Sequence, residues 1–130
     1  MIVAWLGNEL AHVERAEELE IAARRADGTL RPWTPIWVVC VGGQAYVRTW
    51  HRRDVGWFGC VLNPRHARIR VPGLERDVGV EDVGGVSTDL RAAIDASYSL
   101  KYGHYGTATI DQMTTDDAAA ATLRLVCHVV

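Results

Sequence analysis

Between residues 18 and 81 the chain is cut into short strand-forming runs by two-residue turn signals, and no other feature constrains the fold as strongly. Glu18–Arg25 (ELEIAARR) opens with charged and apolar residues alternating, the pattern of a half-buried strand. Asp27-Gly28 follows as a tight-turn pair. Pro35–Val41 (PIWVVCV) is a continuous, β-branched-rich apolar run and reads as a central strand. Gly42-Gly43 then turns it into Ala45–Trp50 (AYVRTW), since two glycines supply the positive φ that a two-residue hairpin turn requires. Arg65–Val71 (RHARIRV) places Ala67, Ile69 and Val71 on one face and His66, Arg68 and Arg70 on the other. Pro72-Gly73 returns it as Glu75–Glu81, and Ala121–Val130 supplies a last strand.

Helices are expected at three places. Trp5, Leu6, Leu10 and Val13 recur at helical spacing near the start, with Asn8 and Glu9 facing outward. Asp54–Leu62 reads as a short helical segment ended by Asn63-Pro64, because proline disfavours helix in the residue before it. A longer helix opens at Ser87 or Thr88, either a good N-cap, and runs to about Tyr102, with Gly103 as C-cap. The fold class that follows is mainly β (α+β). It is a split β-barrel of about six antiparallel strands with two or three flanking helices, forming one domain over residues 1–130.

Composition narrows the function. The N-terminal apolar run is too short for a signal peptide or a membrane span. Cys40, Cys60 and Cys127 are odd in number, far apart and without a C-x-x-C, as in a cytoplasmic protein with reduced thiols. Cys40 and Cys127 lie in apolar strands and read as inert; Cys60 is the thiol nearest the arginine-rich stretch. The five histidines show no zinc-ligand spacing, so no metal is expected. A sequence pI near 6.2 argues against nucleic acid. The charge is uneven, however: seven arginines face two acids between Tyr46 and Arg76, which suits a small anionic ligand.

The stretch Tyr46–Phe58, YVRTWHRRDVGWF, concentrates that charge among aromatic rings. Arg48, Thr49, Arg52 and Arg53 make a cradle for phosphate or carboxylate, because a guanidinium fork can pair two oxygens of either group. Trp50 and Trp57 offer faces to a flat substrate. His51 titrates near neutrality and can move a proton. On the long helix, Leu90, Ile94, Tyr98 and Tyr102 recur every four residues, with Tyr105 just beyond. The plain reading is core packing. The sharper one is a pocket wall, with Tyr98 against substrate and Tyr102 or Tyr105 donating a proton. His104 is a candidate of the same kind, and Lys101 reads as an anion ligand or a solvated charge.

The runs RRADGTLRPWTPIWVVCVGGQAYVRTW, GWF, LNPRHARIRV and GLERDVGVE, with the later AAIDASYSLKYGHY, resemble the bacterial domain-of-unknown-function family 2255 over nearly the whole chain. More distantly, the order of parts is similar to the split-barrel deazaflavin-dependent nitroreductases and pyridoxamine-phosphate oxidases. That resemblance implies a homodimer with ligand sites between subunits. It also implies flavin mononucleotide or a deazaflavin coenzyme held by Arg48, Thr49, Arg52 and Arg53, with Ile36, Trp37 and Val38 flanking the rings. The chain departs from the nitroreductases in carrying RRADGT at Arg24–Thr29 instead of a G-R-x-S-G-K-type phosphate run. Three functions are consistent with these residues. The first is a flavin- or deazaflavin-dependent oxidoreductase acting on a conjugated or aromatic metabolite. The second is a cofactor-free cyclase or isomerase of secondary metabolism using His51 and the tyrosines, and the third a non-catalytic small-ligand-binding protein.

Overall fold

The computed structural model describes residues 2–3, 5, 7–49, 65–85 and 87–128. In chain order the elements are β1 (Ile2–Val3), α1 (Gly7–Arg15), β2 (Leu19–Ala23), β3 (Thr34–Ile36), β4 (Val38–Val41), β5 (Gln44–Arg48), β6 (His66–Val71) and β7 (Leu74–Asp82). Next come α2 (Thr88–Tyr102), a 3-10 turn (Gly103–Tyr105), α3 (Thr107–Met113), α4 (Asp116–Ala120) and β8 (Thr122–His128). The strands form one sheet in the order β3-β2-β6-β7-β8-β5-β4, with β1 paired to β8, and every pairing is antiparallel.

The two ends of that order are consecutive in sequence. The run expected as one central strand breaks at Trp37: β3 pairs with β2 at one end of the sheet, and β4 pairs with β5 at the other. A strand shared between both edges nearly closes the sheet, and the fold is a split β-barrel. The alternation in β6 appears as expected, with Ala67, Ile69 and Val71 buried and His66 exposed. At the β4–β5 turn, Gly42 and Gly43 have φ of 58° and 78°, which a side chain would strain.

Two apolar layers result. The barrel interior holds Leu19, Ile21, Val38, Val47, Ile69, Leu123 and Leu125. Trp5 plugs it, donating its indole N–H to the Leu125 carbonyl at 3.0 Å. On the outer face of β4–β5, Val39 and Tyr46 meet Ile94, Tyr98 and Tyr102 of α2, with Ile110 and Met113 of α3. α2 starts where expected, with the Ser87 hydroxyl accepting from Leu90 N. Gly103 has φ −59°, so the chain runs on into the 3-10 turn rather than reversing in a left-handed cap.

Polar pairing differs from expectation in one helix and one zone. Glu9 is buried on the inner side of α1 and accepts from Arg76, where the spacing had placed it outward. In the cation-rich zone, Arg68 bonds Glu75 and Asp77, and Arg70 bonds its cross-strand neighbour Glu20. Much of the local basic excess is thus balanced within the sheet. No described helix is long and apolar enough to cross a membrane.

Candidate functional site

The pairing of Val38 with Val47 brings Trp37 and Arg48 to the open end of the β4–β5 hairpin, opposite the glycine turn. Strand alternation sends Val38 and Val47 into the barrel and leaves Trp37 and Arg48 for the outer face, where α2 crosses. Trp37 is half-buried and lies flat on Tyr102, with centroids 4.1 Å apart and planes 3° from parallel. Tyr105 approaches the same indole at 5.2 Å. The Tyr102–Tyr105 separation of 6.4 Å is well short of the sum of these two distances, so Tyr105 sits at the indole edge rather than on the face opposite Tyr102.

Tyr102 is fully buried, and its hydroxyl accepts from Val38 N at 3.0 Å. Its proton faces the carbonyls of Glu17 and Val38, at 2.8 and 3.1 Å. Burial pushes its pKa well up, so the phenol is a fixed backbone clamp. Lys101 is no solvated charge: it is half-buried, donates to the Val38 carbonyl at 2.8 Å, and burial lowers its pKa. Tyr98 is also fully buried, and among the described residues its hydroxyl has no hydrogen-bond partner. Burial raises its pKa as well. Both tyrosines therefore occupy the layer between α2 and the sheet.

Arg48 is 2% exposed and tied to the fold. Its Nε donates to Thr122 Oγ1 at 2.8 Å, and its Nη1 to Asp95 at 2.5 Å and the Met113 carbonyl at 3.0 Å. The guanidinium also stands 5.5 Å from the Tyr98 ring centre. Thr49 is buried beside it, its backbone N–H reaching the Ala121 carbonyl at 3.4 Å. Arg48, Tyr98, Tyr102, Trp37 and Tyr105 thus form one continuous line of contacts across the hairpin's open end. Trp50, His51, Arg52, Arg53, Trp57 and Cys60 lie outside the described residues. Cys40 packs against the barrel core, and burial raises its thiol pKa to about 11.

Sequence reasoning missed Glu17. The Tyr105 hydroxyl donates to Glu17 Oε1 at 2.5 Å, and His104 Nε2 lies 3.2 Å from the same oxygen. These two bonds, Tyr105's first, hold the Glu17 carboxyl below its ordinary range, while Glu17 raises the Tyr105 phenol. With Glu17 and Tyr105 88 positions apart, no spacing signal links them. Asp95 was missed too, although Arg91 and Asp95 stand four apart on α2, which puts them on one face and near Arg48. Among the described residues no cluster of His, Cys, Asp and Glu could hold a metal.

A sheet closed at a bent strand, with a helix laid across an open hairpin end, places this chain among the split-barrel proteins. Residues 9–125 match the family described as uncharacterized protein conserved in bacteria (DUF2255), and the chain belongs to that family. No curated protein matches the sequence. Solved structures share the fold. A FAD-binding protein from Mesorhizobium loti is 11% identical at a TM-score of 0.61, covering 99% of this chain and 94% of its own. An F420 reductase is 18% identical at a TM-score of 0.53, with 89% and 88% covered. A NimC/NimA family protein from Clostridium acetobutylicum is 13% identical at a TM-score of 0.58, with 92% and 77% covered. At such identities the likeness is one of fold.

Proposed function

We propose that the protein is a homodimeric oxidoreductase that binds a flavin or deazaflavin coenzyme and acts on a conjugated or aromatic metabolite. The observation that carries this reading is the open end of the β4–β5 hairpin. There a half-buried Trp37, backed by Tyr102, precedes the Val38–Val47 pair, and Arg48 and Thr49 follow it on the partner strand. The arginine-rich run continues from those two into Arg52 and Arg53. An indole fixed from behind suits a flat ring system, and arginines following it suit the phosphate of the same coenzyme. The names of two structural neighbours, an F420 reductase and a FAD-binding protein, point the same way.

When bound, such a coenzyme supplies hydride transfer. The chain's own residues position it and manage a proton. Trp37 holds the ring, and Tyr98 and Tyr102 brace it from within the helix–sheet layer. Tyr105, 46% exposed and hydrogen-bonded to Glu17, keeps its phenol proton at neutral pH and offers it at the site edge. His51 is the second proton carrier, and Trp50 and Trp57 meet the substrate. Absorbance titration with flavin mononucleotide and with the deazaflavin coenzyme tests the reading. Micromolar binding of one of them, weakened by Trp37→Ala and by Arg52→Ala with Arg53→Ala, is expected. No saturable binding of either would remove this reading. Light scattering of the eluting protein tests the dimer.

A further inference from the structure

Beneath the first turn of α2 lies a cavity of about 200 Å3 lined by Arg48, Gly84, Thr88, Arg91, Asp116 and Thr122 among its walls. We infer that it is an oxyanion site for a phosphate or carboxylate group, with Arg48 as its fixed donor and Arg91 as its movable one. The Arg48 side chain is 1% exposed, and its bonds to Thr122, Asp95 and Met113 use only Nε and Nη1. Among the described residues Nη2 is left with two N–H donors unspent, on a buried side chain that lines the cavity. Arg48 lines the cavity and a guanidinium can only donate, so the complement of this wall is an oxygen acceptor.

Arg91 supplies the second fork. Its Nη1 bonds Asp116 at 2.7 Å and its Nη2 the Thr114 carbonyl at 3.3 Å. Asp116 is 94% exposed, and an ion pair so open to water is easily exchanged. Asp95 stands 3.6 Å from Arg91 Nε and 2.5 Å from Arg48 Nη1, offsetting part of the positive charge. An arriving oxyanion therefore competes with the Asp116 carboxylate for Arg91, and Asp116, already open to solvent, turns to water. Thr88, at the first position of α2, lines the same wall and brings a hydroxyl that can serve as a neutral donor. A tetrahedral phosphate fits both the volume and the divergent donors.

The oxyanion has two sources: the phosphate of the proposed coenzyme, which rests on the reading above, or a free phosphate or small carboxylate, which does not. The test is a titration of the full chain with inorganic phosphate at constant ionic strength, with chloride as control. It is followed by amide signals of Thr88 and Arg91 and the Nε–H signals of Arg48 and Arg91. Saturable shifts confined to these groups are expected. Arg91→Gln should weaken binding roughly tenfold, the scale of a charged hydrogen bond. Asp116→Asn, which removes the competing carboxylate, should tighten it. Absence of saturable shifts, their reproduction by chloride, or an Asp116→Asn affinity equal to the parent's overturns the site. If phosphate displaces flavin mononucleotide and riboflavin does not bind, the cavity takes the coenzyme phosphate. If phosphate binds without displacing it, or no flavin binds, the cavity serves a free oxyanion.

Discussion

Trp37 lies parallel to Tyr102, 4.1 Å away, at the residue where one strand run divides between the two edges of the sheet. The indole marks the joint of the barrel, and the phenol beneath it bonds the backbone of the next residue, Val38. Helix, joint and candidate ring platform are therefore one packing unit, so an indole fixed by its neighbours loses little freedom when a ligand ring lands on it.

Tyr102→Phe keeps the stacked ring and removes the hydroxyl. The buried Val38 N–H then loses the partner it has in the folded chain, at a cost of about 1–3 kcal/mol, to be read from urea unfolding. Tyr105→Phe should leave stability nearly unchanged, since its hydroxyl bond is at the surface. On the proposed function it should lower turnover. Equal destabilisation by the two substitutions would show that Tyr102 is no clamp.

Glu9 and Arg76 tie α1 to β7. Glu9→Ala leaves a partly buried guanidinium short of its acceptor and should cost about 2 kcal/mol, the range of hydrogen bonds to charged groups. Glu14→Ala, on an exposed part of the same helix, should be nearly neutral. The comparison is a pair of denaturation curves. A small effect at Glu9 would mean that helix propensity, not this pair, holds α1 down.

These contacts show what was legible in the sequence. β6 was, because a strand with one buried face prints its period of two, and so was α2, because Ser87 caps it and an apolar stripe runs from Ile94 through Tyr102. The break at Trp37 was not: an all-apolar run carries no period, so nothing in it distinguishes a straight strand from one shared by two sheet edges. α3 and α4, of seven and five residues, are too short to show a stripe. Arg48 was read as an oxyanion ligand; its partners Asp95 and Thr122 lie 47 and 74 positions away, so its ties to them were invisible. Glu9 and Glu17 were missed for the same reason, since a carboxylate's partner is set by the tertiary fold and not by its neighbours in sequence.

Gly84 closes against the end of α4. A Cβ there would lie 1.9 Å from the Ala120 carbonyl oxygen and 2.7 Å from its carbon, contacts with backbone that cannot rotate aside. Gly84→Ala should destabilise by about 1–3 kcal/mol or more, as overpacking does. It should also disturb the cavity that Gly84 lines. Gly85→Ala meets nothing within 4 Å and should be neutral or slightly stabilising. Matching melting temperatures for the two variants would rule out the close approach.

The Glu17–Tyr105 bond makes a prediction about pH. Glu17 titrates below its ordinary 4.5 because Tyr105 and then His104 bond its ionised form. A depressed folded-state value means that this contribution to stability is complete above about pH 4.5 and is lost as pH falls through the folded value. Tyr105 behaves in the opposite sense. Its phenol is raised above 10.0 by Glu17, with Glu18 adding to the effect, so its contribution is complete below pH 10.0 and is lost as pH rises through the folded value. The 3-10 turn carrying Tyr105 should therefore be held to Glu17 between these limits and released outside them. Carboxyl-carbon NMR should show the Glu17 midpoint moving up towards 4.5 in Tyr105→Phe. A midpoint that stays put would mean that His104 alone sets the charge of Glu17. Tyr105 would then have no carboxylate partner, and the proposal that it donates a proton at the edge of Trp37 would fall.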